Sequence, residues 1–124
     1  MKTRSSLFRY SLILFCAVLP LQALDLKDYL ENQKDPMQKV INQAYIHGVG
    51  EGFNWVNGGM VSIGRPPLYC QPPKLALTAQ NYVDMLDAKI KSQENAATPE
   101  THVEPLLLFA LMDTFPCAAQ KPNK

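Results

Sequence analysis

Two histidines, His47 and His102, and three cysteines, Cys16, Cys70 and Cys117, are the side chains of this 124-residue sequence best suited to nucleophilic or metal chemistry. A zinc site needs three or four such donors at short spacing, and the two histidines lie far apart in sequence with no cysteine near either. A cysteine nucleophile needs a free thiolate beside a base, which Cys70 and Cys117 cannot supply if they are joined. Gly48-x-Gly50-x-Gly52 is too compact for a dinucleotide loop, which must also follow a strand. The residues therefore predict neither an enzyme nor a bound metal or cofactor.

The cysteines point to a compartment. Residues 1–23 have the three zones of a secretory signal: Lys2, Arg4 and Arg9, an apolar run from Tyr10 to Leu19, then Pro20 and Leu21-Gln22-Ala23. The run is too short to span a bilayer, and the expected cut follows Ala23. A lipoprotein signal would use Cys16, but Phe15 stands where such a signal needs a small side chain. Removing 23 residues leaves 101, enough for one modest core and one domain. That part carries nine Lys or Arg against eleven Asp or Glu, a net charge of −2, the wrong balance for nucleic acid or an anionic membrane. No later segment is apolar for long enough to form a membrane span. In an oxidising space such as the periplasm, Cys70 and Cys117 would form a disulfide; the alternative is a pair of buried thiols.

The elements that must carry these residues are helices. Asp35-Pro36 starts a long one, the Asp as N-cap and the Pro at the first helical position. Val40, Ile41, Ala44, Tyr45, Val49, Gly52, Phe53 and Val56 give it an apolar face as far as Asn57, where Gly58-Gly59 is expected to stop it. A shorter helix over Leu26 to Gln33 precedes it. Ala44, Gly48 and Gly52 form a smooth ridge, so Gly48 and Gly52 are expected to admit a close-packed neighbour; the rival is a break near Gly48. Gly58 to Lys74, with four prolines, predicts a long ordered loop, in which Met60, Val61 and Ile63 could form a short strand. Thr78 caps a helix to about Ser92, with Tyr82, Val83, Leu86 and Ile90 inward and Asp84, Asp87, Lys89 and Lys91 in water. Thr98-Pro99, or Thr101 with Glu104, starts the last helix, whose core is Val103, Leu106, Leu107, Ala110, Leu111 and Phe115. Phe115-Pro116-Cys117 ends it, leaving a frayed tail over Ala118 to Lys124. The fold class expected is all-α, three to four helices with one disulfide.

A binding protein needs exposed aromatic or stiff groups on such a scaffold. Trp55 and Arg65 are the candidates by residue type, with Asn57 and Tyr69 beside them. Ordinary burial is the alternative for Trp55, and a solvated loop position for Arg65.

Tyr69-Cys70-Gln71-Pro72, Thr78, the Tyr82 to Ile90 helix, His102, Pro105, Ala110-Leu111 and Phe115-Pro116-Cys117 together resemble the C-terminal half of the Rap/Tai type immunity proteins. Tyr45-Ile46-His47-Gly48 with Gly52-Phe53 resembles that family's first helix. The resemblance implies a small exported helical protein, often a homodimer, that binds and neutralises a peptidoglycan amidase toxin delivered by type VI secretion. The Arg65-Pro66-Pro67 loop and the Gly48 to Gly59 run depart from the family pattern. Two other readings compete: a small periplasmic chaperone or stress protein, and an envelope accessory protein without enzymatic activity.

Overall fold

The computed structural model describes residues 23–118. The expected leader lies outside them up to Gln22, as does the tail from residue 119. The described residues form four helices: α1 (Leu26–Asn32), α2 (Pro36–Ser62), α3 (Ala79–Ser92) and α4 (Val103–Thr114). The only strand-like contact described is an isolated antiparallel bridge between Asp25 and His102. This is the small all-α fold expected.

Local chemistry sets most of the boundaries. Asp35 accepts from the backbone N–H groups of Met37 and Gln38, both at 2.9 Å, ahead of Pro36. Thr78 caps α3 in a reciprocal box closed by Asn81. The end of α2 differs from expectation: the helix runs through Gly58-Gly59 and stops at Ile63. Glycine weakens a helix without ending it; the stop comes at Gly64, whose φ is +74°. There the Arg65 N–H donates to the Met60 carbonyl (2.8 Å) and the Gly64 N–H to the Val61 carbonyl (3.0 Å). Met60 and Val61 are accordingly helical, not strand, and the loop begins five residues later than Gly58.

The start of α4 also departs from expectation. Thr98 and Thr101 bond one another in a separate turn, and His102 occupies the N-cap position without a side-chain cap bond. Pro105 falls in the first turn, where no intrahelical N–H is lost.

The core lies where α3 packs on α2 and α4, with α1 set against α2. Ile46, Leu86, Val103, Leu107 and Leu111 fill it together with three tyrosines, Tyr29, Tyr69 and Tyr82. Two of those hydroxyls have carboxylate partners: Tyr29 donates to Asp87 (2.7 Å) and Tyr82 to Glu51 (2.9 Å). Burial first, then these bonds, raise both phenol pKa values. Lys89, expected in water, is largely covered and reaches Asp113 of α4 at 2.7 Å. The Cys70–Cys117 disulfide closes a 47-residue separation and ties the loop to the end of α4, where the Cys70 N–H also donates to the Phe115 carbonyl (2.8 Å).

Candidate protein-binding face

α2 buries only one edge of the apolar face expected of it: Val49 and Phe53 pack against the core, and the rest of that face does not. Ile46, Gly50, Asn42 and Asn57 are buried, while Val40, Ile41, Ala44, Tyr45, Gly52 and Val56 are exposed. Two asparagines turn inward because each meets backbone groups that need partners. Asn42 donates to the Tyr29 carbonyl at 3.0 Å, holding α1. Asn57 donates to the Tyr69 carbonyl (2.8 Å) and accepts from the Leu68 N–H (2.6 Å) and the Tyr69 N–H (3.4 Å), clamping the returning loop.

Gly50, rather than Gly48 or Gly52, is the close-packing glycine. A Cβ at Gly50 would lie 2.5 Å from Tyr82 ring atoms, whereas Cβ atoms at Gly48 and Gly52 would meet nothing within 4 Å. At 100° per residue, positions 48 and 52 lie on the opposite side of the helix from position 50, and that side faces solvent. The Tyr82 ring thus lies against bare α2 backbone, with the His47 ring centroid 5.9 Å away.

The four residues selected as partner-binding candidates divide into two pairs. Trp55 is 80% exposed, and Arg65 is exposed on the loop just past Gly64. Asn57 and Tyr69 are buried. Asn57 is fully used by the loop, and Tyr69 is fully enclosed, with its hydroxyl lacking a partner among the described residues. Both serve the fold, and they also form part of the lining of a depression beside the loop.

Most of the rest of the exposed side of α2 was expected to face inward, as an apolar face with an Ala44, Gly48 and Gly52 ridge, and instead lies in solvent. Met37, Ile41, Ala44, Gly48, Gly52, Trp55 and Gly59 recur every three or four residues and fall within one narrow sector. Val40 and Val56 flank them, and Ile63 continues the apolar surface beyond the helix end. From Met37 to Gly59 the stripe is about 33 Å long. A signal was present: the apolar residues of α2 are spread too widely for one side of a small bundle to bury them all, and Gln43, His47, Glu51 and Asn54 form a polar strip beside them. Beside Trp55 a depression of about 520 Å³ is lined by Glu51, Asn54, Gly58, Gly59 and Ser62. A smaller one of about 340 Å³, between Asn54, Val61, Pro67 and Pro72, adjoins it.

The chemistry elsewhere is sparse. His102 Nδ1 lies 3.0 Å from Asp25 Oδ1 at the isolated bridge, and the His47 ring sits beside Tyr82 at a 45° tilt, so the two histidines serve different parts of the fold. Among the described residues no group of three or more His, Cys, Asp or Glu side chains could hold a metal ion. No described helix is long and apolar enough to cross a membrane. No protein-family model matches the chain, and comparison with curated proteins and with solved structures finds no match.

Proposed function

We propose that the chain is exported to the periplasm, cut after Ala23, and acts there as an immunity-type protein that binds and inhibits a cell-wall-degrading, amidase-like effector toxin. The observation that carries this reading is the uncovered apolar stripe of α2, with Trp55 near its C-terminal end as the most exposed large side chain. Met37, Val40 and Ile41 at one end of it and Trp55 and Val56 at the other stand in water, and monomeric soluble domains rarely leave so extended an apolar surface without a partner to cover it. Trp and Arg are the residue types most often found at the energetic centre of such contacts, and Trp55 and Arg65 stand at the same end of the helix. The resemblance to the Rap/Tai proteins supplies the class of partner.

The test is capture of partners by oxidised protein starting at Leu24, followed by a peptidoglycan-hydrolysis assay on any hydrolase recovered. Inhibition by the parent chain that weakens at least tenfold in Trp55→Ala supports the reading. A folded protein that leaves every hydrolase fully active overturns it.

A homodimer is a second use of this face, and the pattern of residues favours it. The stripe is nearly palindromic about Gly48: Ile41 and Trp55 lie seven residues to either side, Val40 and Val56 eight, Ala44 and Gly52 four. Two copies of α2 laid antiparallel would set large residues against large ones at the ends and small against small in the middle. Sedimentation at micromolar concentration decides this, with Ile41→Asp as the variant expected to remain monomeric. The chaperone reading uses the same apolar face for unfolded clients. It requires apolar dye binding to rise on acidification, which the immunity reading does not.

A further inference from the structure

The backbone just after the expected cut is already held in a defined place. The Leu24 carbonyl accepts from the Val103 N–H (3.0 Å), the Leu26 N–H donates to the Thr101 carbonyl (2.8 Å), and the Lys27 N–H donates to the Pro99 carbonyl (3.0 Å). Asp25 pairs with His102 in the same strip. The Leu24 side chain packs against the core, whereas Ala23 before it is exposed. The clamp therefore begins at Leu24.

What faces the Leu24 nitrogen is a carboxylate. The Leu24 N–H donates to Glu104 Oε1 at 3.0 Å, and the Tyr45 hydroxyl donates to the same oxygen. The other oxygen, Glu104 Oε2, is buried and has no hydrogen-bond partner among the described residues. A buried carboxylate oxygen without a donor is costly, and a peptide N–H has only one hydrogen, already given to Oε1. A terminal ammonium at the same nitrogen has three.

We propose that the Ala23–Leu24 peptide bond is a processing site whose product, the Leu24 α-ammonium, is bound by Glu104 as a partly buried ion pair. The proposal rests on the export reading above. Hydrolysis by a leader-cleaving protease consumes one water, leaves a carboxylate on Ala23, and frees the Leu24 amine, which takes up a proton at neutral pH. The ammonium keeps the bond to Oε1, has hydrogens to turn toward Oε2, and brings a positive charge to a carboxylate that has only neutral donors. Charge-assisted bonds of this kind are roughly twice as strong as neutral ones. Removal of the leader thereby completes the junction of α1, α2 and α4, since Leu24 leads into α1, Tyr45 is on α2 and Glu104 on α4.

The test starts from the full chain expressed with its leader in an export-competent host. The intact mass of the oxidised product reads its first residue. Its unfolding in denaturant is then compared with that of a version retaining Leu21-Gln22-Ala23 before Leu24, each with Glu104 and with E104Q. The expected results are a mass starting at Leu24 and a folding equilibrium constant about tenfold higher for the processed form, an advantage that E104Q abolishes. Equal stability of the two forms, or an advantage that survives E104Q, overturns the inference and leaves the export reading intact. A mass starting elsewhere, or an unprocessed chain, overturns both. The comparison of the two starts with Glu104 in place needs no substitution, so equal stability of those two overturns the inference even if E104Q does not fold.

Discussion

Gly50 and Gly48 are two residues apart, yet the same substitution should act on them in opposite directions. A Cβ at Gly50 would lie 2.5 Å from a Tyr82 ring that is fully buried and tethered through its hydroxyl to Glu51, so the ring has little room to retreat. Gly50→Ala should therefore destabilise by about 1–3 kcal/mol despite the better helix propensity of alanine. At Gly48 there is open space, and Gly48→Ala should stabilise by up to about 1 kcal/mol. Equilibrium denaturation of the two variants should give midpoint shifts of opposite sign. The sequence showed that some glycine in this run admits a neighbour, because three helical glycines call for a reason. It did not show which, since the choice depends on the helical phase at which Tyr82 arrives from α3. The exposure of Trp55 has the same origin: residue type named the candidate, and only the direction in which α2 turns left it in water.

At the scale of elements, the return of the chain after α2 depends on Asn57. One amide satisfies three backbone groups across an 11- or 12-residue gap, so the loop is fastened at Leu68 and Tyr69 before the disulfide fastens it at Cys70. Asn57→Leu keeps the branched shape and the number of heavy atoms but leaves those groups with no partner in a buried place. It should cost about 2–3 kcal/mol, and the amides of Leu68 and Tyr69 should lose protection in hydrogen exchange ahead of the helices. Helix starts at Asp35-Pro36 and Thr78 were legible because a cap is a local device, built from residues two or three apart. The end of α2 at Gly64 was harder to see: three glycines compete for it, and which one adopts positive φ is settled by where the chain must go next. The start of α4 was obscured in the same way. Glu104 fits a local capping box with Thr101, but its carboxylate is taken by the distant Leu24 N–H and the Tyr45 hydroxyl.

For the whole molecule, the disulfide is the largest single constraint on the unfolded chain. Closing a loop of 47 residues stabilises by about 4 kcal/mol on the chain-entropy model, a large part of the stability of a domain of this size. Replacing Cys70 and Cys117 together by serine should lower the melting temperature by about 20 °C. Calorimetry of the oxidised and substituted proteins checks this, and a shift of only a few degrees would mean that the Asn57 clamp holds the loop almost alone. The covered or uncovered state of α2 also belongs to this scale. A domain with three packed layers of helix would have hidden that stripe; here α1, α3 and α4 leave it free, and it is available to a second protein.

By itself the sequence determined the fold class, three to four helices, two of their caps and the cysteine pairing, because periodicity, capping and the count of cysteines are legible along the chain. Its charge and missing donor clusters set the expectation of a binding protein rather than an enzyme. Only the tertiary structure decided which side of α2 is inside. The aliphatic residues of that helix are spread around its circumference, so periodicity alone could not choose. The choice fell to the side carrying Asn42 and Asn57, whose amides meet the Tyr29 and Tyr69 carbonyls, and to Gly50, where the Tyr82 ring needs bare backbone. Specific hydrogen bonding and close approach outweighed side-chain hydrophobicity there, and in doing so left Trp55, Val56 and Ile41 on the outside, where the proposed function requires them.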